Sequence, residues 1–221
     1  MTLPCYRRDY SGEFLVTETR WSGGAKQQSR EWIPNPIENH HISGRAAVII
    51  SDVDRSLFDY TRLQRHRGGL LGKKRLQTYA TGSVWQDMIL DFWVGKERSE
   101  IDVMITQKYD ERCTVYTSPR VVLSYPGRLY LIPLAPPMDS QATAVYLAAF
   151  DGHQEIFILG ASQDTPWLTD HTMADIGRVM AAYDTTQFIL VGIESRMPPE
   201  WRRLRNVVCQ DYRSWVSYCD V

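Results

Sequence analysis

Apolar positions along this chain fall into two regimes. From Arg45 onward, short unbroken apolar runs alternate with stretches where apolar residues recur every three or four positions. The first run, Ala46-Ala47-Val48-Ile49-Ile50, has strand length and no polar break, as expected of a strand covered on both faces of a parallel sheet. Arg75–Tyr79, Ile89–Val94, Cys113–Tyr116 and Leu129–Ile132 predict further strands. Ala142, Val145, Tyr146 and Ala149 repeat at helical spacing, with Asp139 or Ser140 placed to cap that helix and Gly152 to close it. Glu155–Leu159 reads as the next strand, and Met173, Ile176, Val179, Met180 and Tyr183 as a second helical stripe. A strand at Gln187–Val191 follows, and the tail from Trp201 adds a short helix and a closing strand or helix. Helix, strand, helix, strand in so short a span predicts βαβ crossovers and a parallel sheet.

The first 44 residues lack this pattern and are rich in Gly, Ser, Asn, Pro and Arg. Ser22-Gly23-Gly24 and Pro34-Asn35-Pro36 read as turns. The expected organisation is an extended N-terminal arm over 1–44, with a hairpin across Gly12–Trp21 and Trp21 and Trp32 as apolar anchors. A single α/β Rossmann-like domain would follow over 45–221, with a mostly parallel sheet and flanking helices.

Charge narrows the partners only a little. With 25 basic and 26 acidic residues the net charge is −1, so the overall field selects neither nucleic acid nor membrane. No apolar stretch approaches the roughly 20 residues that span a bilayer. Met1–Tyr10 carries Arg7, Arg8 and Asp9 without an apolar segment, which argues against a signal peptide and for the cytoplasm of a cell or a virion. Cys5, Cys113, Cys209 and Cys219 form no CxxC pair and read as reduced thiols.

Ligands of an open parallel sheet bind at the carboxyl ends of its strands. The loop after Ile50, Ser51-Asp52-Val53-Asp54, holds two carboxylates where a dinucleotide fold wants glycines. Asp52 and Asp54 could share a Mg²⁺ or Mn²⁺ ion. They also resemble the first motif of haloacid-dehalogenase-type phosphatases, with Asp52 as nucleophile. No lysine occurs after Lys108, and Gly192-Ile193-Glu194 offers one acid rather than that family's late pair. Arg62, Arg65, Arg67, Lys73, Lys74 and Arg75 form a glycine-punctuated basic loop able to meet phosphate, nucleic acid or an acidic protein surface. His40 and His41 are adjacent, so in extended chain they point apart. His171, after Thr169-Asp170 at a predicted helix start, is better placed for acid–base work than His153.

The segment Tyr146-Leu147-Ala148-Ala149-Phe150-Asp151-Gly152-His153-Gln154-Glu155-Ile156-Phe157-Ile158-Leu159-Gly160 resembles the helix–strand signature of sialyltransferase-like and related Rossmann-like proteins, which are common in bacteriophage genomes and bacterial surface-glycan loci. Glu31–Asn35, Phe58-Asp59, Thr78-Tyr79, Asp91-Phe92 and Val115–Pro119 fit as well, so the resemblance covers about residues 31–192. It implies a nucleotide-sugar site at the strand ends. The ligand positions depart from that pattern. Ser51-Asp52-Val53-Asp54 replaces a G-N-G-x-S-type turn, Gly82 stands near an expected Asn, and Gln141 follows Ser140 where a Ser-Gly pair is expected. Ala161-Ser162 replaces an aromatic–acid pair, while Glu97 keeps a carboxylate after the third strand. The resemblance therefore implies a retained fold with a lost or rebuilt site. The leading expectation is a non-catalytic structural or adaptor protein, of a bacteriophage virion. It would use no cofactor and would meet protein partners in a homo- or hetero-oligomer through the Trp21/Trp32 arm. The alternatives are an active glycosyltransferase, with a nucleotide sugar and Mg²⁺ or Mn²⁺ held among Ser51, Asp52, Asp54, Glu97 and Ser162, and the phosphatase.

Overall fold

The apolar runs expected as strands after Arg45 each supply a strand to one parallel sheet. A computed structural model describes residues 6–7, 13–34, 44–50, 76–134, 136–160, 168–193 and 197–220. The chain runs β1 (Glu13–Ser22), β2 (Ala25–Pro34), β3 (Arg45–Ile49), β4 (Gln77–Ala80), β5 (Phe92–Val94), α1 (Arg98–Thr106), β6 (Thr114–Thr117), α2 (Pro119–Val122) and β7 (Tyr130–Leu131). It continues through α3 (Ser140–Phe150), β8 (Glu155–Leu159), α4 (Asp170–Ala182), β9 (Gln187–Val191), β10 (Val207–Gln210) and α5 (Tyr212–Asp220). Eight strands pair in the order β10-β9-β8-β3-β4-β5-β6-β7, and every pairing is parallel. This is a Rossmann-like α/β fold. The chain steps outward from β3 to β7, then α3 carries it back over β4 and β3 to β8, and it steps out the other way. The direction reverses between β3 and β8, which makes that boundary the switch point where such sheets open a crevice.

The two faces explain why the central runs lack polar residues. Ala47, Ile49, Phe157 and Leu159 face one buried cluster, closed by Trp215 of α5. Ala46, Val48, Ile156 and Ile158 face the other, beneath α3 and α4. Helix α3 is buried from Ala142 to Phe150, so its apolar residues encircle it.

Three sequence expectations are corrected. The strand expected at Ile89–Val94 is ordered into the sheet only over Phe92–Val94. Just ahead of it, the Asp91 carboxylate accepts the Thr78 backbone N–H at 2.9 Å and its hydroxyl at 3.0 Å, so a side chain takes over from the ladder. The expected hairpin across Gly12–Trp21 is instead a longer ribbon: Glu13–Ser22 is one strand, and the turn is Gly23-Gly24. Their φ angles of 59° and 80° suit glycine and match the twist of a two-residue hairpin. Trp21 and Trp32 are not anchors. They are 73% and 59% exposed, while Val16 and Ile33, on the opposite face of the ribbon, are buried in the core. The period of two along each strand sets this: Leu15 pairs with Trp32 and lies on the same face as Trp21. Helix α1, which buries Ile101 and Met104, was not anticipated. Arg75, the first residue of an expected strand, lies outside the described residues.

Candidate functional site

The switch point directs attention to the chain leaving β3 and β8. Most of the sequence-selected residues lie there, beyond the described residues: Ser51, Asp52 and Asp54, the basic set Arg62, Arg65, Arg67, Lys73, Lys74 and Arg75, and Ser162. The same holds for His40 and His41.

What the described residues form at this edge is a cleft of about 530 Å³ at the carboxyl ends of β3, β4 and β5. Ile50 ends β3 at its base, and Thr81, Gly82 and Ser83 follow β4. Gly82 takes φ 66°, a left-handed angle that suits glycine at this turn. Lys96 and Glu97 follow β5, and Glu100 stands in the first turn of α1. Glu97 thus lies in the wall of a strand-end cleft. The opposite wall is the start of α3, Met138 to Gln141. Trp93 braces the site from below: its indole N–H donates to the Gly82 carbonyl at 3.1 Å, and its ring covers the position a Gly95 side chain would need.

The charges in the cleft are largely tied down. Lys96 Nζ donates to the Pro136 carbonyl at 3.2 Å and to the Met138 carbonyl, clamping the approach to α3. Burial pushes the Lys96 pKa down, with Asp139 opposing. Burial, reinforced by Glu97, pushes the Glu100 carboxyl up. Asp139 caps α3: one carboxylate oxygen accepts the Ala142 N–H at 2.9 Å, and the other accepts the Thr172 hydroxyl. Thr172 belongs to α4, whose own cap is Thr169, so one carboxylate ties together the starts of both helices. The expectation that Asp139 or Ser140 caps α3 resolves in favour of Asp139. Its carboxylate sits where a helix N-terminus would otherwise attract an anion.

His171 is exposed in the first turn of α4, with Nδ1 3.2 Å from the buried Asp175 carboxylate, which also pairs with Arg178. It is not among the residues lining the cleft. His153 is buried, beyond the opposite ends of the strands, in a group that sequence reasoning missed. There Arg7 forms an ion pair with Asp151, both side chains fully buried. The Tyr79 hydroxyl donates to the other Asp151 oxygen at 2.6 Å and lies 3.0 Å from His153 Nε2, which is left to donate to it. The Arg7 guanidinium packs 5.1 Å from the Phe150 ring centroid and 5.5 Å from that of Tyr116. Burial, then Asp151, holds the Tyr79 phenol well above its ordinary pKa. Phe150, Asp151 and His153 are sequence neighbours, but Arg7, Tyr79 and Tyr116 come from distant segments, so no local motif announces the group.

Among the described residues, no three His, Cys, Asp or Glu side chains are grouped to hold a metal ion, and no helix is long and apolar enough to cross a membrane. The fold and the cleft define a Rossmann-like α/β domain with its strand-end crevice partly filled by its own side chains. No protein-family model matches the chain, and no curated protein or solved structure matches it.

Proposed function

We propose that this chain is a glycosyltransferase-like domain without transferase activity that serves as a structural or adaptor component, with a bacteriophage virion as the setting its resemblance points to. The observation carrying the first half is the Asp139 carboxylate at the start of α3. A nucleotide sugar at a Rossmann-like switch point places phosphate against helix N–H groups. Here a carboxylate accepts such an N–H and is itself held by Thr172, so an incoming phosphate meets like charge at a donor already taken. Leu15 and Trp32, which pair across the ribbon, and Trp21 six positions further along the same face support the second half, as exposed apolar side chains on a ribbon held to the domain at its base by Val16 and Ile33. Exposed aromatics of this kind anchor protein interfaces.

Sedimentation velocity tests the assembly role. The wild-type chain is expected to sediment above monomer mass at micromolar concentration, and Trp21→Ser/Trp32→Ser to shift it toward the monomer with unchanged circular dichroism. A wild-type chain that stays monomeric would contradict self-assembly through the ribbon. The alternative, an active nucleotide-sugar-dependent glycosyltransferase with Mg²⁺ or Mn²⁺ on Asp52 and Asp54, is favoured by the open volume of the cleft and the carboxylates Glu97 and Glu100 on its wall.

A further inference from the structure

Beside the cleft, and sharing Lys96 and Glu97 with it, lies a second cavity of about 570 Å³. Its wall brings together four cationic side chains from three chain segments: Arg20 of β1, Lys96 and Arg98 on either side of Glu97 where α1 begins, and Arg120 of α2. Glu97 is the one carboxylate among the residues lining it. Arg20 reaches this wall because it shares the ribbon face of Val16, which turns toward the domain.

We propose that this groove binds an oligoanion bearing two or more phosphate groups, held between the ribbon and the starts of α1 and α2. A concave wall on which cations outnumber the single carboxylate concentrates anions. Three of the four cations are arginines, whose planar donor forks match phosphate oxygens. Arg98 makes a loose ion pair, 3.8 Å from Asp102 with both side chains well exposed, and also interacts with the Tyr125 hydroxyl. Glu97, at the cap position of α1, makes no side-chain hydrogen bond to that helix, so the first-turn N–H groups add positive potential to the same groove. The cavity is larger than one phosphate needs and lies within the usual range for small-molecule sites. The groove does not depend on the loss of the nucleotide-sugar site, because it lies outward of α3, toward β6 and the ribbon.

Isothermal titration with inorganic pyrophosphate, at low and at high ionic strength, tests this. Wild type is expected to bind, more weakly as salt rises. Arg98→Glu/Arg120→Glu is expected to weaken binding roughly ten-fold or more, through loss of both attraction and donors. Lys73→Glu/Lys74→Glu, in the other basic stretch, should leave it unchanged. Arg20→Glu, on the ribbon outside the parallel sheet, is a second variant should the double one misfold, and it should also weaken binding. No binding by wild type, or wild-type affinity in the folded groove variants, would overturn the proposal. So would loss of binding in the Lys73/Lys74 variant alone.

Discussion

Asp151→Ala is expected to destabilise the fold by about 3–5 kcal/mol, the cost of removing one partner from a buried ion pair. The mechanism is specific. Arg7 and Asp151 are both fully buried, and without the carboxylate the guanidinium keeps its charge against the rings of Phe150 and Tyr116 with no counter-ion in that pair. The Tyr79 hydroxyl would lose its acceptor as well. For a chain of this size the loss corresponds to a drop in Tm on the order of 10 °C. Tyr79→Phe is the contrasting variant. It keeps the ion pair, removes the hydroxyl's two hydrogen bonds to Asp151 and His153, and should cost about 1–2 kcal/mol. Urea unfolding of the two variants checks the argument. Equal, small losses would mean that the buried pair does not hold Arg7 and its segment to the domain.

Gly192→Ala is expected to cost about 2–4 kcal/mol, from two separable causes. Gly192 follows β9 with φ 78°, a conformation that strains an L-residue by about 1–2 kcal/mol. An added Cβ would also stand 2.0 Å from the Tyr212 ring of α5, so the ring must move, at an overpacking cost of about 1–3 kcal/mol. Gly152 separates the causes. Its φ is 89°, but nothing lies within 4 Å of an added Cβ, so Gly152→Ala should show the backbone strain alone. Equal losses at the two positions in chemical denaturation would remove the Tyr212 clash from the account.

The sequence and the fold agree most closely where local pattern and burial coincide. The strands expected at Glu155–Leu159 and Gln187–Val191 match β8 and β9 to the residue, because both are apolar and buried after a polar first residue and are followed by glycine. Asp139 could be read as a cap because capping is a short-range interaction. Helix α1 was hidden by its alternating Ile101, Val103 and Ile105, whose β-branched pattern blurs a helical period. The Trp21 and Trp32 expectation failed for a different reason. Size marks a residue as a candidate anchor, but the register of the ribbon decides which face meets the domain. Arg7 gave no structural signal in the sequence because its partner is 144 positions away. Arg20, the Lys96/Arg98 pair and Arg120 lie far apart in sequence in the same way, and the fold gathers them at one cavity.

The most direct test of the proposal that a nucleotide-sugar site has been lost is a calorimetric comparison of CMP-, UDP- and GDP-sugars with inorganic pyrophosphate, each with and without Mn²⁺. With Asp139 holding the start of α3, the nucleotide sugars should bind no more tightly than pyrophosphate, and Mn²⁺, which complexes diphosphates and lowers their charge, should not tighten any of them. A nucleotide sugar binding at least roughly ten-fold tighter than pyrophosphate, with the difference abolished by Asp52→Ala, would contradict the account and return the chain to the active glycosyltransferases.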